Sequence, residues 1–285
     1  MYKLLNGKEL ADRVKDEVRD EIKKMEEYGQ NVRLAVIQVG NNPASETYVK
    51  NKQNARNYCG IISASYKLPE TTSEDDLIEL IEELNNDDEI NGILVQLPLP
   101  EHFNEDRVIQ AVCKEKDVDG FHEANVGRLM IVADTFVPCT AKGIIELLVQ
   151  NGVKIDGMNC VVVGRSNIVG KPTAMELLRH NGTVTICHSK TKNLKEVCKS
   201  ADILICAIGK PKFFNKEYIG ENAVVVDVGI HRLEDGSMCG DVDFEDVKDI
   251  VSAITPVPRG VGAMTVAMLM KNCVQATKMQ CQKRG

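Results

Sequence analysis

The stretch Asn159-Cys160-Val161-Val162-Val163-Gly164-Arg165-Ser166-Asn167-Ile168-Val169-Gly170-Lys171-Pro172 decides the fold. Its first half is a short apolar, β-branched run, which reads as a buried strand. A polar turn with a glycine at each end follows, and then a helix start at about Lys171. A strand, a tight turn and a helix N-terminus bring backbone N–H groups and the helix dipole onto a pyrophosphate. The stretch lacks the GxGxxG spacing, since Ser166 and Val169 stand at the second and third glycine positions. A dinucleotide site and a plain tight connection therefore both remain open from this stretch alone.

Outward from it the alternation continues. Downstream come the strand TVTICHS (183–189), the helix NLKEVCKSA (193–201) and the strands ILICAIG (203–209) and AVVVDVGI (223–230). Upstream, GIIELLVQNG (143–152) reads as a helix, so residues from about 139 onward form one α/β unit. An earlier unit follows the same logic. Leu10, Ala11, Val14, Val18, Ile22 and Met25 share one helical face. The strand LAVIQVG (34–40), a helix opening near Pro43 and stopped by Gly60, and the strand IISASYKL (61–68) come next. Ser73-Glu74-Asp75-Asp76 resembles a capping box before LIELIEELN, and INGILVQLPLP (90–100) is a buried strand closed by prolines. A helix around 104–114 leads to the turn KDVDG, and the stretch to Pro138 reads as an irregular hinge. The expected architecture is therefore α/β in two domains, 1–138 and 139–285. The apolar helix at about 264–280 is expected to pack back on the first.

The 35 basic and 42 acidic residues give a net charge of -7, which argues against a broad nucleic-acid or anionic-membrane surface. No apolar run reaches the ~18–20 residues that span a bilayer, and the N-terminus reads as a charged helix, so a cytoplasmic protein is expected. Ten cysteines are scattered without a CxxC, and the five histidines show no HxxxH or HExxH. They read as reduced core thiols, with no metal site expected.

Several polar residues stand out against this background. The strand TVTIC runs into His188-Ser189, where many NAD sites place an acid for the ribose hydroxyls. Ser189 with Arg165 would instead accept a 2′-phosphate, which favours NADP. Gly229 and Ile230 follow a strand where backbone can line a nicotinamide pocket, although the same residues also read as plain core strand. Tyr48 and Lys52 share a helix face; an aromatic ring there can stack on a flat ligand while the lysine reaches its reacting atom. A half-buried tyrosine with a solvated lysine gives the same pattern. Gln96 ends an apolar strand, where a polar group needs a partner or a ligand, and Asp119 in KDVDG reads as a turn acid or as a ligand acceptor. The YxxxK spacing also occurs in short-chain dehydrogenases, but there it follows the dinucleotide turn and here it precedes it.

Taken together, YVKNK (48–52), VQLPLP (95–100), KDVDGF (116–121), NVGRL (125–129), GRSNIVGKP (164–172), CHSKT (187–191) and ITPVPRGVGAMT (254–265) resemble the bifunctional methylenetetrahydrofolate dehydrogenase/cyclohydrolase family, in order and over nearly the whole chain. The resemblance implies an N-terminal α/β domain and a Rossmann-type NADP domain with a cleft between them, a folate substrate and a homodimer. It makes Lys52 the principal catalytic residue, Tyr48 the ring stacked near the pterin, Gln96 a partner of Lys52 that positions water, and Asp119 the acceptor at the pterin edge. Val95, Gln96 and Leu97 and the loop Pro258, Arg259, Gly260, Val261 and Gly262 would touch folate, while Gly164, Arg165, Ser166, Ser189 and Ile230 would line NADP. Arg259, Ala263 and Ala141 depart from a glycine and two prolines usual in the family. The glycine matters most, because it can serve a positive φ or a close backbone approach. A monofunctional dehydrogenase and a non-catalytic nucleotide-binding protein are the rival expectations.

Overall fold

The computed structural model describes residues 2–40 and 43–284, with residues 43–48 and 283–284 described by their backbone alone. In chain order, β1 (Lys3–Leu4), α1 (Gly7–Glu26), β2 (Arg33–Val39), α2 (Pro43–Cys59), β3 (Ile62–Leu68), α3 (Glu74–Asn86) and β4 (Gly92–Val95) come first. Three helices follow, α4 (Glu105–Ala111), α5 (Glu123–Met130) and α6 (Cys139–Gln150). Then come β5 (Asn159–Val163), α7 (Gly170–Arg179), β6 (Thr183–Cys187), α8 (Leu194–Lys199), β7 (Ile203–Cys206) and β8 (Val224–Asp227). The chain closes with β9 (His231–Arg232), β10 (Met238–Cys239), α9 (Phe244–Val247), β11 (Ala253–Ile254) and α10 (Val261–Arg284). No helix among the described residues is long and apolar enough to cross a membrane.

The chain forms two compact units. One comprises Met1–Asp12 with Pro138–Thr265, the other Arg13–Val137 with Val266–Gly285. The first carries a six-stranded sheet in the order β1-β11-β8-β7-β5-β6, every pairing parallel. Its core gathers Val161, Val163, Leu204, Cys206, Val225, Phe214 and Ile254. The near-continuous apolar runs of β5 and β7 follow from burial of both faces of a parallel sheet. The second unit has a three-stranded parallel sheet, β3-β2-β4, with its own core around Ile37, Val39, Leu77, Ile81, Ile93 and Val108. Ser73 caps α3 as its sequence suggests, its Oγ accepting the Asp76 N–H at 3.1 Å.

Some boundaries are corrected. Residues 1–12, assigned above to the first domain, join the six-stranded unit because Lys3–Leu4 pairs with Ala253–Ile254. The strand expected over 90–100 ends at Val95, since Pro98 and Pro100 offer no ladder donor. The supposedly irregular stretch before Pro138 contains α5, capped by His122 Nδ1 accepting the Ala124 N–H at 3.0 Å. From Val266 onward α10 belongs to the second unit, where Asn272, fully buried, donates to the carbonyls of Val118 (2.8 Å) and Val137 (3.2 Å).

Candidate active site

In the second unit, Gln96 directly follows the edge strand β4, and its N–H donates to the Ile37 carbonyl of the central strand β2 at 2.8 Å. That backbone anchor turns its side chain toward α2. Lys52, on α2 and only 8% exposed, places Nζ 3.2 Å from Gln96 Oε1, while Gln96 Nε2 donates to the Leu97 carbonyl at 2.6 Å. The amide is therefore held at both ends and presents an acceptor to the ammonium. Asp119 completes the group. Desolvation pushes its carboxyl up to about 6, and the positive charge of Lys52 works against that rise. Val95 is buried beside Gln96, and Leu97 is half-buried. The Tyr48 side chain lies outside the described residues.

Asp119 owes its place to a residue that the sequence reading passed over. Asp117, buried in the same KDVDG turn, accepts the N–H groups of Gly120 (3.0 Å), Phe121 (3.1 Å) and His122 (2.9 Å) and Nδ2 of Asn125 (2.7 Å). Asp117 is thus the acid that shapes the turn, which frees Asp119 from that task. The chain's own signal was present in Asn125 of NVGRL, eight residues on, but nothing in KDVDG alone says which aspartate faces the backbone.

The first unit builds a different site. Gly164 leaves β5 with φ +136°, and a Cβ there would lie 2.2 Å from the Ala207 carbonyl oxygen. A Cβ on Gly170 would come equally close to the Gly164 oxygen, so the turn closes only with glycines at these positions. Ser166 Oγ accepts the N–H groups of Val169 (3.2 Å) and Gly170 (3.3 Å), which ties the turn to the start of α7. Arg165 and Ser166 are exposed at the carboxyl end of β5, and Ser189 is exposed just past the end of the neighbouring β6. Gly164 N–H donates to Cys187 O at 2.9 Å and links the two strand ends. No acid follows β6; His188, Ser189 and Lys190 stand there instead. Ile230, 51% exposed, follows β8 three residues on, in the same parallel sheet. This cradle of glycines, exposed cation and hydroxyls fits a dinucleotide carrying a 2′-phosphate.

The loop 258–262 also belongs to this unit. Pro258 and Arg259 are exposed, Gly260 and Val261 are buried, and Gly262 is half-buried. Arg259 holds φ +79°, the left-handed conformation that the usual glycine would adopt freely, and its carbonyl accepts the Lys8 N–H at 2.9 Å. Among the described residues, no group of three His, Cys, Asp or Glu side chains could hold a metal ion, and all ten cysteines are free thiols.

Comparison with known proteins finds a two-part match along the chain, which differs from the compact units at residues 5–12 and 266–281. Residues 5–119 match the model for the catalytic domain of tetrahydrofolate dehydrogenase/cyclohydrolase, and residues 138–281 match the model for its NAD(P)-binding domain. The bifunctional protein FolD of Lachnoclostridium phytofermentans is 56% identical over 278 residues, covering 98% of this chain and 99% of the relative. The crystal structure of the bifunctional FolD enzyme from Campylobacter jejuni superposes with a TM-score of 0.96 at 45% identity, over 98% of this chain and 99% of the other. A Trypanosoma brucei enzyme of the same description, complexed with NADP cofactor and inhibitor, gives 0.94 at 34% identity over 99% of each chain. Fold and site thus define a two-unit α/β enzyme that pairs an NAD(P)-binding unit with a catalytic one. The chain belongs to the tetrahydrofolate dehydrogenase/cyclohydrolase family.

Proposed function

We infer that the chain oxidises 5,10-methylenetetrahydrofolate to 5,10-methenyltetrahydrofolate with NADP and hydrolyses that product to 10-formyltetrahydrofolate. The observation that carries this reading is the buried Lys52–Gln96 contact with Asp119 beside it, within the unit that matches the catalytic domain. NADP supplies the hydride acceptor. Gly164, Arg165, Ser166, Ser189 and Ile230 hold it, and the absence of an acid after β6 favours NADP over NAD. Loss of hydride leaves a methenyl cation stabilised by two flanking nitrogens, so the oxidation asks the protein chiefly for positioning.

Hydrolysis asks for more. Water adds to the one-carbon centre, one C–N bond of the bridge breaks, and of the water's two protons one moves to the departing nitrogen while the other is released to solvent. Lys52 is the group placed to move them, with Gln96 orienting both the lysine and the water. Asp119 accepts from the pterin edge, Val95 and Leu97 supply further folate contacts in this unit, and the family resemblance gives Tyr48 the part of stacking on the ring system. A homodimer in the cytoplasm accords with the family resemblance and with ten free cysteines.

Two spectrophotometric assays test the reading. NADPH formation from 5,10-methylenetetrahydrofolate reports the dehydrogenase, and decay of methenyltetrahydrofolate absorbance reports the hydrolase. NADPH formation without hydrolysis would identify a monofunctional dehydrogenase, and neither activity would leave only a nucleotide-binding protein.

A further inference from the structure

Two buried carboxylates sit at the carboxyl edge of the six-stranded sheet, among the loops that follow β7 and β8. Asp241, fully buried, accepts the backbone N–H groups of Ile208 (2.6 Å), Gly209 (3.0 Å) and Lys210 (2.9 Å). Its Oδ1 also lies 2.8 Å from Nε2 of His231. Asp227, the last residue of β8, accepts the N–H groups of Gly229 (3.0 Å), Asp241 (2.8 Å) and Val242 (3.0 Å). The backbone is packed directly onto these groups, for a Cβ on Gly229 would fall 2.4 Å from Asp241 Oδ1.

Buried acids are costly even when hydrogen-bonded, and an apolar filling of the same space serves stability as well. What the carboxylates add is direction. Asp241 gathers the 208–210 amides and the His231 ring onto one point; the 208–210 segment adjoins the dinucleotide turn described above, and Ile230–His231 follows β8 of the same sheet. Ala207, adjoining the clamped amides, is the residue on which Gly164 closes. Ile230, adjoining His231, places its Cδ1 where a Cβ on Gly262 would be 2.8 Å away, so it packs closely over Gly262.

We propose that Asp241 and His231 are positioning residues for the dehydrogenase reaction, holding the Ile208–Lys210 and Ile230–His231 backbone in the form that receives the nicotinamide end of NADP. The proposal rests on the NADP reading above. It makes a distinction that a general structural role does not: hydrolysis of preformed methenyltetrahydrofolate consumes no NADP and should be spared.

Asp241 accepts from four donors, so removing it threatens folding, and the test is placed on His231, whose ring is partly exposed. His231→Ala is expected to raise the KM for NADP about tenfold, the loss of one charge-assisted hydrogen bond, while hydrolysis assayed without NADP changes less than about twofold. His231→Gln, whose Nε2 reaches the same oxygen, should recover most of the NADP affinity. An unchanged KM for NADP, an equal fall in both activities, or a glutamine variant no better than alanine overturns the proposal. Failure of the underlying reading is distinguishable, because the parent enzyme would then form no NADPH before any substitution is made.

Discussion

Arg259 stands where the family resemblance implies a glycine, and it holds a backbone conformation that favours one. Its φ of +79° costs a non-glycine residue about 1–2 kcal/mol, partly offset by the extra freedom that glycine loses on folding. Arg259→Gly should therefore raise the unfolding free energy by roughly 0.5–1 kcal/mol, measurable by urea denaturation. The guanidinium is exposed, so the KM for the folate substrate should stay within about threefold of the parent value; a larger change would put the side chain on the substrate. Lys52 offers the sharper test. Lys52→Met fills a buried site with an apolar chain of similar length, and hydrolysis should fall by about 10²- to 10⁴-fold while the protein remains folded. Full hydrolysis by that variant would remove Lys52 from the mechanism. Asp119 adds a pH signature. Its folded-state value, about 6, lies above the ordinary ~3.9 of an unfolded aspartate, so the native state binds more protons between the two. The favourable contribution is complete below about pH 4 and disappears as pH rises through about 6. Asp119→Asn abolishes this titration, so its stability relative to the parent should rise across that window in denaturation series at fixed ionic strength.

At the scale of elements, the site depends on how short connections are pinned. The KDVDG turn is bonded on three sides: Asp117 to the amides that follow it, Lys116 Nζ to the carbonyls of Leu84, Asn85 and Asp87 at the end of α3, and Val118 O to Asn272 of α10. Asp117→Ala leaves those amides without an acceptor in a buried place, and a loss of roughly 2–4 kcal/mol is expected in chemical denaturation. Hydrolysis should also fall in the fraction that still folds, because Asp119 loses its fixed backbone. The periodicity of LIELIEELN and the apolar run of NCVVVG made α3 and β5 readable in advance, since each is decided by burial of its own side chains. The turn was less readable. Both aspartates occupy a motif whose local chemistry suits a turn, and only Asn125 and the packing of α10 decide which one faces inward. Helix α5 was missed for a related reason: eight residues with two buried side chains carry little periodic signal, and its cap is a histidine rather than Ser, Thr, Asp or Asn.

Over the whole molecule, the two α/β units and the dinucleotide turn were legible because each rests on a local pattern, and the return of the C-terminal helix to the earlier unit was expected from its apolar composition, whereas the transfer of residues 1–12 to the other unit was not. Nothing in Lys3–Leu4 announces a strand, and its pairing with Ala253–Ile254 is decided some 250 residues away. The candidate site divides in the same manner. Gln96 stood out as a polar residue ending an apolar strand, yet the Asp241–His231 clamp joins the two ends of the β9–β10 hairpin, whose strands of two residues each carry no periodic signal. The division also yields a prediction for the intact protein. The proposed cofactor cradle belongs wholly to the unit containing Val161, Val163, Leu204 and Val225, and that unit has its own core. A ligand that binds only the native form stabilises it by about 2.7 kcal/mol at a hundredfold excess over Kd. At that concentration NADP should slow hydrogen exchange at β5, β7 and β8 amides by up to about a hundredfold where exchange requires unfolding of this unit. Amides of β2 and β4, whose side chains pack in the separate core around Ile37 and Ile93, should change little. Equal protection of both sets, read by mass spectrometry with and without NADP, would show that the two cores open as one cooperative body and would overturn the division of stability argued from their separate packing.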